Sequence, residues 1–286
     1  AVYARAITRR MTKPIRFLLV AAALLALPSS AFATWSVVAL DAKTGQAVVA
    51  SATCVTGANL VRRAPPFGLR SIQAIVVPGK GAAAAQANVD ATFANQNLIY
   101  AELQKGTDPA KIIEMLSADP NFQSRQFGVI DMTGRKAGHS GTGNQAASLH
   151  EQGQVPGQPI YYSIQGNILA GDDVVHDAVK AFIATRGELT DRVMEAMEAA
   201  DAKGGDKRCS CESTPKTPAP CVTKTAHVAY ILLAEKTDTN KTAYSDGDYR
   251  MFISVSETDI KPEEDGNPVK TLRLRYDAWK KANRRP

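Results

Sequence analysis

The chain has 286 residues, with 34 Lys and Arg against 28 Asp and Glu, and four cysteines. The formal charge of +6 sits at one end: Arg5, Arg9, Arg10, Lys13 and Arg16 precede residue 34 with no acid among them, so beyond it 29 basic residues face 28 acidic ones. A balance of +1 with no basic stripe interleaved with aromatics argues against nucleic acid as a partner, and the run Lys280 to Arg285 reads as a solvated helix terminus.

The first elements read as an export leader. Met11 reads as the start, with residues 1–10 as an upstream segment, and residues 11–33 form a signal peptide. Its basic residues Lys13 and Arg16 precede the apolar run Phe17 to Leu27, the break Pro28-Ser29-Ser30 and the small-x-small tripeptide Ala31-Phe32-Ala33. The apolar run is shorter than the roughly 20 residues of a membrane span, so no stable anchor is expected. Signal peptidase is the expected first partner, and the product is periplasmic or secreted. Cleavage after Ala33 leaves a chain of 253 residues, ample for one domain over 34–286 with a Cys-rich loop at 206–225. Its first residue is Thr34. A hydroxyl is a weak nucleophile at neutral pH, but an N-terminal threonine carries its own base, an α-amino group titrating at about 7.7–8.0.

Thr34 to Leu40 and Gln46 to Thr53 read as a hairpin around Asp41 to Gly45. A loop is expected as far as Arg70, then strands over Ser71 to Val77 and the alanine-rich Gly81 to Asn88. Helices follow over Asn88 to Lys105 and after the Asp108-Pro109 cap. Arg125 to Ile130 and Arg135 to Ser140 form a hairpin, and Tyr161 to Gln165 a strand. Asp172 is expected to cap a helix carrying Val175, Val179, Phe182 and Ile183, followed by a helix from Thr190 to Lys203. Strands at His227 to Ala234 and Tyr249 to Val255 precede a last helix with Leu272, Tyr276 and Trp279 on one side. Strands and helices come in groups rather than alternating, which argues for stacked antiparallel sheets with helices outside.

Several stretches stand out in order: Thr34 to Asp41 with Thr44-Gly45, Gly79 to Ala82 through Gln86-Ala87, Arg125 to Asp131 with Gly134-Arg135, Ala137 to Gly141, Gln165 to Gly171, and Gly204 to Arg208. Together they resemble a bacterial family labelled domain of unknown function 1028. That family looks like a branch of the N-terminal nucleophile (Ntn) hydrolases. The resemblance implies an α+β fold, a four-layer αββα sandwich of two antiparallel sheets between helices, with the first residue of the processed chain as nucleophile. Two departures stand out: Cys209 opens an insertion ending near Thr225, and Ser254-Val255-Ser256-Glu257-Thr258 replaces an acidic, His-containing strand end.

Thr34 is then the candidate nucleophile of an amidohydrolase acting on a small-molecule or peptide-like amide. Asn167 and the Gly166 N–H are candidate oxyanion donors, since an amide side chain in a Gly-flanked turn can reach over a sheet edge. Asp206 is placed to orient the Thr34 ammonium or to bind a cationic group, with His139, Gln165 and Arg208 as candidate substrate contacts. No cofactor is expected, and self-association is left open. Three of the cysteines crowd between Cys209 and Cys221, with Cys54 far away. In an exported chain they point to disulfides closing that loop, with the pairing open apart from a sterically awkward Cys209–Cys211 bond. His227 stands at no standard zinc spacing from them, and no metal is expected. The rival reading is a non-catalytic periplasmic or cell-envelope binding or assembly protein on the same sandwich.

Overall fold

The computed structural model describes residues 34–283, and the expected leader lies outside them. These residues group as one compact unit. The described residues form ten strands and seven α-helices. A six-stranded antiparallel sheet has the order β10-β9-β2-β1-β8-β7, and a four-stranded one the order β3-β4-β5-β6.

The first sheet is built on the central strand β1 (Thr34–Asp41), flanked by β2 (Gln46–Thr53) and β8 (Ile160–Asn167). Successive side chains of a strand point to opposite faces. Trp35, Val37 and Ala39 therefore enter one apolar layer, while Val38 and Leu40 enter another. The first layer packs the sheet under α5 (Asp173–Ala184), α6 (Leu189–Ala202) and α7 (Pro268–Ala282). The second lies between the two sheets, where Val38, Leu40 and Val49 meet Val76, Ala82 and Ala84.

The second sheet comprises β3 (Ala74–Val77), β4 (Gly81–Ala87), β5 (Arg125–Asp131) and β6 (Lys136–Ser140). Ala83 and Ala85 on its far face join Ile99, Leu103, Ile112 and Leu116 of α3 (Ala94–Lys105) and α4 (Pro109–Leu116). The alanine run of β4 follows from this position, since it faces a packed layer on both sides and small side chains let both approach. Gly128 of β5 marks a close approach between the sheets: a Cβ there would stand 2.2 Å from Gln165 Oε1 and 2.3 Å from Ser163 Oγ.

Some boundaries differ from the sequence expectation. The stretch read as a loop carries α1 (Gly57–Arg63), and α2 (Leu69–Gln73) takes its end and the first three residues of the strand expected from Ser71; both short helices are anchored by Leu60, Leu69 and Ile72 in the inter-sheet layer. The helix expected from Asn88 starts only at Ala94, because Asp90 accepts hydrogen bonds from Thr92 and Ala94 and holds residues 90–93 in a turn. Strand β7 (Leu149–Gln154) was not expected: its half-buried sequence LHEQGQ lacks apolar alternation. Asp108 caps α4 through the Ala110 N–H, but Asp172 itself takes helical angles and makes no side-chain cap.

Strands β9 (Val228–Ala234) and β10 (Met251–Ser256) complete the first sheet. No helix among the described residues is long and apolar enough to cross a membrane.

Candidate functional site

Thr34 opens β1, opposite Thr53 of β2 and Asn167 of β8. It shares a face with Ser36, Val38 and Leu40, so its side chain belongs to the inter-sheet side. Toward this end the inter-sheet space changes from apolar to polar. Thr34 Oγ1 donates to Thr53 Oγ1 at 3.3 Å, and the Thr34 carbonyl accepts from Gln86 Nε2 at 2.9 Å.

Gln86 organises a buried chain of amides. Its Oε1 accepts from Ser36 Oγ and Gln73 Nε2, each at 2.7 Å, and its Nε2 also donates to Gln126 Oε1 at 2.7 Å. Gln73 Oε1 accepts from Tyr230 Oη at 3.0 Å, and Gln126 Nε2 donates to the Gly166 carbonyl at 2.9 Å. Gln165 donates to Ser36 Oγ and accepts from Ser163 Oγ at 2.8 Å. An amide offers donor and acceptor together, so Gln73, Gln86 and Gln126 can satisfy one another directly, with Gln165 joined through Ser36, where a single hydroxyl could not.

Two of the three described non-glycine residues with positive φ directly follow polar residues at this end of the sheets: Ala87 (φ 71°) after Gln86 of the network, and Ile168 (φ 54°) after Asn167, which pairs with Thr34 in the strand register. A β-branched residue there is a genuine outlier, of the sort that gathers at functional sites at a cost of about 1–3 kcal/mol each. The Ile168 turn is held from outside by the Gly204 to Arg208 stretch. Ala170 N–H donates to the Gly205 carbonyl at 3.0 Å, Lys207 N–H to the Ile168 carbonyl at 3.3 Å, and Leu169 bridges Asp206.

Asp206 is completely buried. Its carboxylate accepts from the Cys54 N–H at 2.8 Å and from Arg208 at 3.0 Å (Nε) and 2.7 Å (Nη2). The carboxylate thus binds the end of β2 to the loop, and Cys54 directly follows Thr53. A disulfide between Cys54 and Cys209 reinforces the same junction, and Cys211–Cys221 closes the inserted loop. Disulfides suit an oxidising compartment.

Of the residues singled out in the sequence, Thr34, Gly166 and Asn167 come together at the ends of β1 and β8, with Gln165 joined to them through Ser36. Asp206 and Arg208 sit on the adjoining loop, where the hydrogen bonds to the Asp206 carboxylate among the described residues come from Cys54 and Arg208, not Thr34. His139 lies elsewhere: its ring stacks on Phe122 at 3.6 Å between centroids, its Nε2 meets the Phe122 carbonyl at 3.0 Å, and burial lowers its pKa. Thr53, Ser36, Gln73, Gln86 and Gln126 were not picked out from sequence. The one signal was a polar residue, Gln86, next to last in a strand otherwise made of one glycine and five alanines.

Thr34 is 2 % exposed in the whole chain. A groove of about 460 Å³ at the opposite end of β1, lined by Asp41, Leu233 and Trp279, includes none of the residues around Thr34. A second of about 870 Å³ flanks the Asp206 loop, lined by Ala170, Gly204, Lys207 and Cys209.

The model of the family described as Family of unknown function (DUF1028) matches residues 34–215, starting at Thr34. The chain belongs to this family. The crystal structure of protein SPO2555 from Silicibacter pomeroyi, also described by the DUF1028 model, superposes with a TM-score of 0.60 at 20 % identity, covering 87 % of this chain and 89 % of that one. At that identity the likeness concerns the fold. The sequence has no match among curated proteins.

Proposed function

We propose that this chain is the precursor of an exported Ntn-type amidohydrolase, on an αββα sandwich of that superfamily, with Thr34 as nucleophile once the Ala33–Thr34 bond is cut. The observation that carries this reading is the place of Thr34. It is the first residue of the central strand and of the family match, and its hydroxyl and carbonyl are held at the polar end of the inter-sheet space.

In this mechanism Thr34 Oγ1 attacks the amide carbonyl carbon while the new α-amino group takes the hydroxyl proton. The tetrahedral oxyanion accepts hydrogen bonds from Asn167 and a neighbouring backbone N–H. Collapse breaks the C–N bond, the ammonium returns its proton to the leaving amine, and an ester to Thr34 remains. Water adds to that ester with the amine again as base, which releases the acid and restores Thr34. Gln86 positions the nucleophile through the Thr34 carbonyl. Asp206 and Arg208 shape the adjoining loop, with Arg208 the nearer candidate for an acidic group on the substrate.

The pairing of the Asp206 carboxylate with Cys54 and Arg208 rather than Thr34 favours a second reading, a binding or assembly protein of the cell envelope whose processed chain starts elsewhere. One experiment separates the two. Intact mass and N-terminal sequencing of the exported protein should give a start at Thr34, and an amide-directed electrophile such as a β-lactone should leave one adduct there. Thr34→Ala should lose the adduct but keep the fold by circular dichroism, with stability lowered by about 1–2 kcal/mol for one buried methyl and one hydrogen bond. A different start, or labelling that survives Thr34→Ala, rejects the hydrolase.

A further inference from the structure

Cys54, Cys209 and His227 come from three distant segments, and one ligand atom of each lies within 4.8 Å of the other two. The approach is built into the ladder. His227 N–H donates to the Thr53 carbonyl at 2.8 Å, which sets the histidine beside Cys54, and the Asp206 carboxylate holds the Cys54 N–H from the loop that carries Cys209.

The imidazole supplies an independent observation. His227 is 2 % exposed, and its Nδ1 has no hydrogen-bond partner among the described residues. A buried polar atom without a partner calls for an explanation. Beside two sulfurs, the explanation that the donor set offers is a ligand. Two thiolates and one imidazole form the soft set that suits zinc, with a fourth position left for water.

We propose that, when the Cys54–Cys209 bond is reduced, Cys54, Cys209 and His227 bind one zinc-like divalent cation, so that a metal cross-link replaces the covalent one between β2 and the Asp206 loop. The exchange needs a dithiol or phosphine donor. A dithiol gives two electrons and two protons to the disulfide and is itself oxidised to a disulfide, and the cation then displaces the two protons from the thiols. Both cysteines are only partly buried, which leaves the bond open to such a donor.

The test uses the full chain carrying Cys211→Ser and Cys221→Ser, so that reduction exposes only the pair in question. After anaerobic reduction with a phosphine, cobalt(II) should give a thiolate charge-transfer band that saturates at one equivalent and is displaced by zinc(II). The oxidised protein should give none. His227→Gln should weaken binding roughly tenfold or more, since even an outer-shell change costs about that much, and a further Cys209→Ser change should abolish the band. The proposal is overturned if no stoichiometric band appears, if His227→Gln binds as well as the parent, or if circular dichroism shows that the reduced chain has lost its fold.

Discussion

At the residue scale the site depends on groups whose neighbours determine what they do. Gln86 is a glutamine because four polar atoms converge on it: the Thr34 carbonyl, Ser36 Oγ, Gln73 Nε2 and Gln126 Oε1. A carboxylate could not donate to the Thr34 and Gln126 oxygens, and a hydrocarbon would leave all four groups buried without partners. His227 shows the opposite economy. Burial first, then the positive charges of Lys224 and Arg208, lower its pKa from 6.5 to about 4. The unfolded chain takes up this proton near pH 6.5 and the folded one resists until about 4, so the stability it confers is complete above about 6.5 and lost as pH falls toward 4. Between pH 7 and pH 5 the loss should be about 2 kcal/mol, by the 1.36 kcal/mol that each pKa unit represents. Denaturant unfolding at the two pH values should show His227→Gln losing less stability than the parent. Equal losses would mean that the imidazole is not held neutral.

At the element scale the turn after α6 is what brings the loop to the site. Gly205 takes φ +42°, and a Cβ on it would stand 2.6 Å from the Trp35 ring and 2.9 Å from Thr225. The ring therefore lies directly against the backbone that positions Asp206, one residue along β1 from Thr34. Gly157 makes a useful contrast, with φ +71° and open space around it. Gly157→Ala should cost only the backbone conformation, about 1 kcal/mol. Gly205→Ala should lose roughly 2–4 kcal/mol, because it combines that conformational cost with overpacking. Thermal or denaturant unfolding of both variants checks the order, and similar losses would show that the contact with Trp35 is readily relieved.

At the scale of the whole molecule, two disulfides close loops of very different size. Cys54–Cys209 spans 155 residues and Cys211–Cys221 spans 10. Cross-linking a longer loop removes more freedom from the unfolded chain, giving about 5 kcal/mol for the first and about 3 kcal/mol for the second in the chain-entropy account. Replacing both cysteines of the first pair by serine should lower the thermal midpoint more than replacing the second pair. The reverse order would mean that the inserted loop, rather than the tie between β2 and Asp206, carries the stability.

Much of the fold could be read along the chain. The short apolar run Trp35 to Leu40, the Asp131-Met132-Thr133-Gly134 turn and the Asp108-Pro109 cap are local signals, each set by composition or backbone preference. The family could be read for a related reason, since its motifs are contiguous stretches. Thr34 was visible as a candidate because its signal, a small-x-small tripeptide before a strand, is also local. The tertiary structure decided what lies opposite Thr34. Thr53, Gln86, Asn167 and Cys54 are brought together by strand register and by the stacking of two sheets, and nothing in the spacing of residues 34, 53, 54, 86 and 167 encodes that. It also chose Cys54–Cys209 over the pairings left open, set His227 against that pair, and moved His139 to a separate aromatic cluster. Sequence determines which face a side chain takes within its own strand; which other strand that face meets depends on how chain segments far apart in sequence pack their apolar layers together.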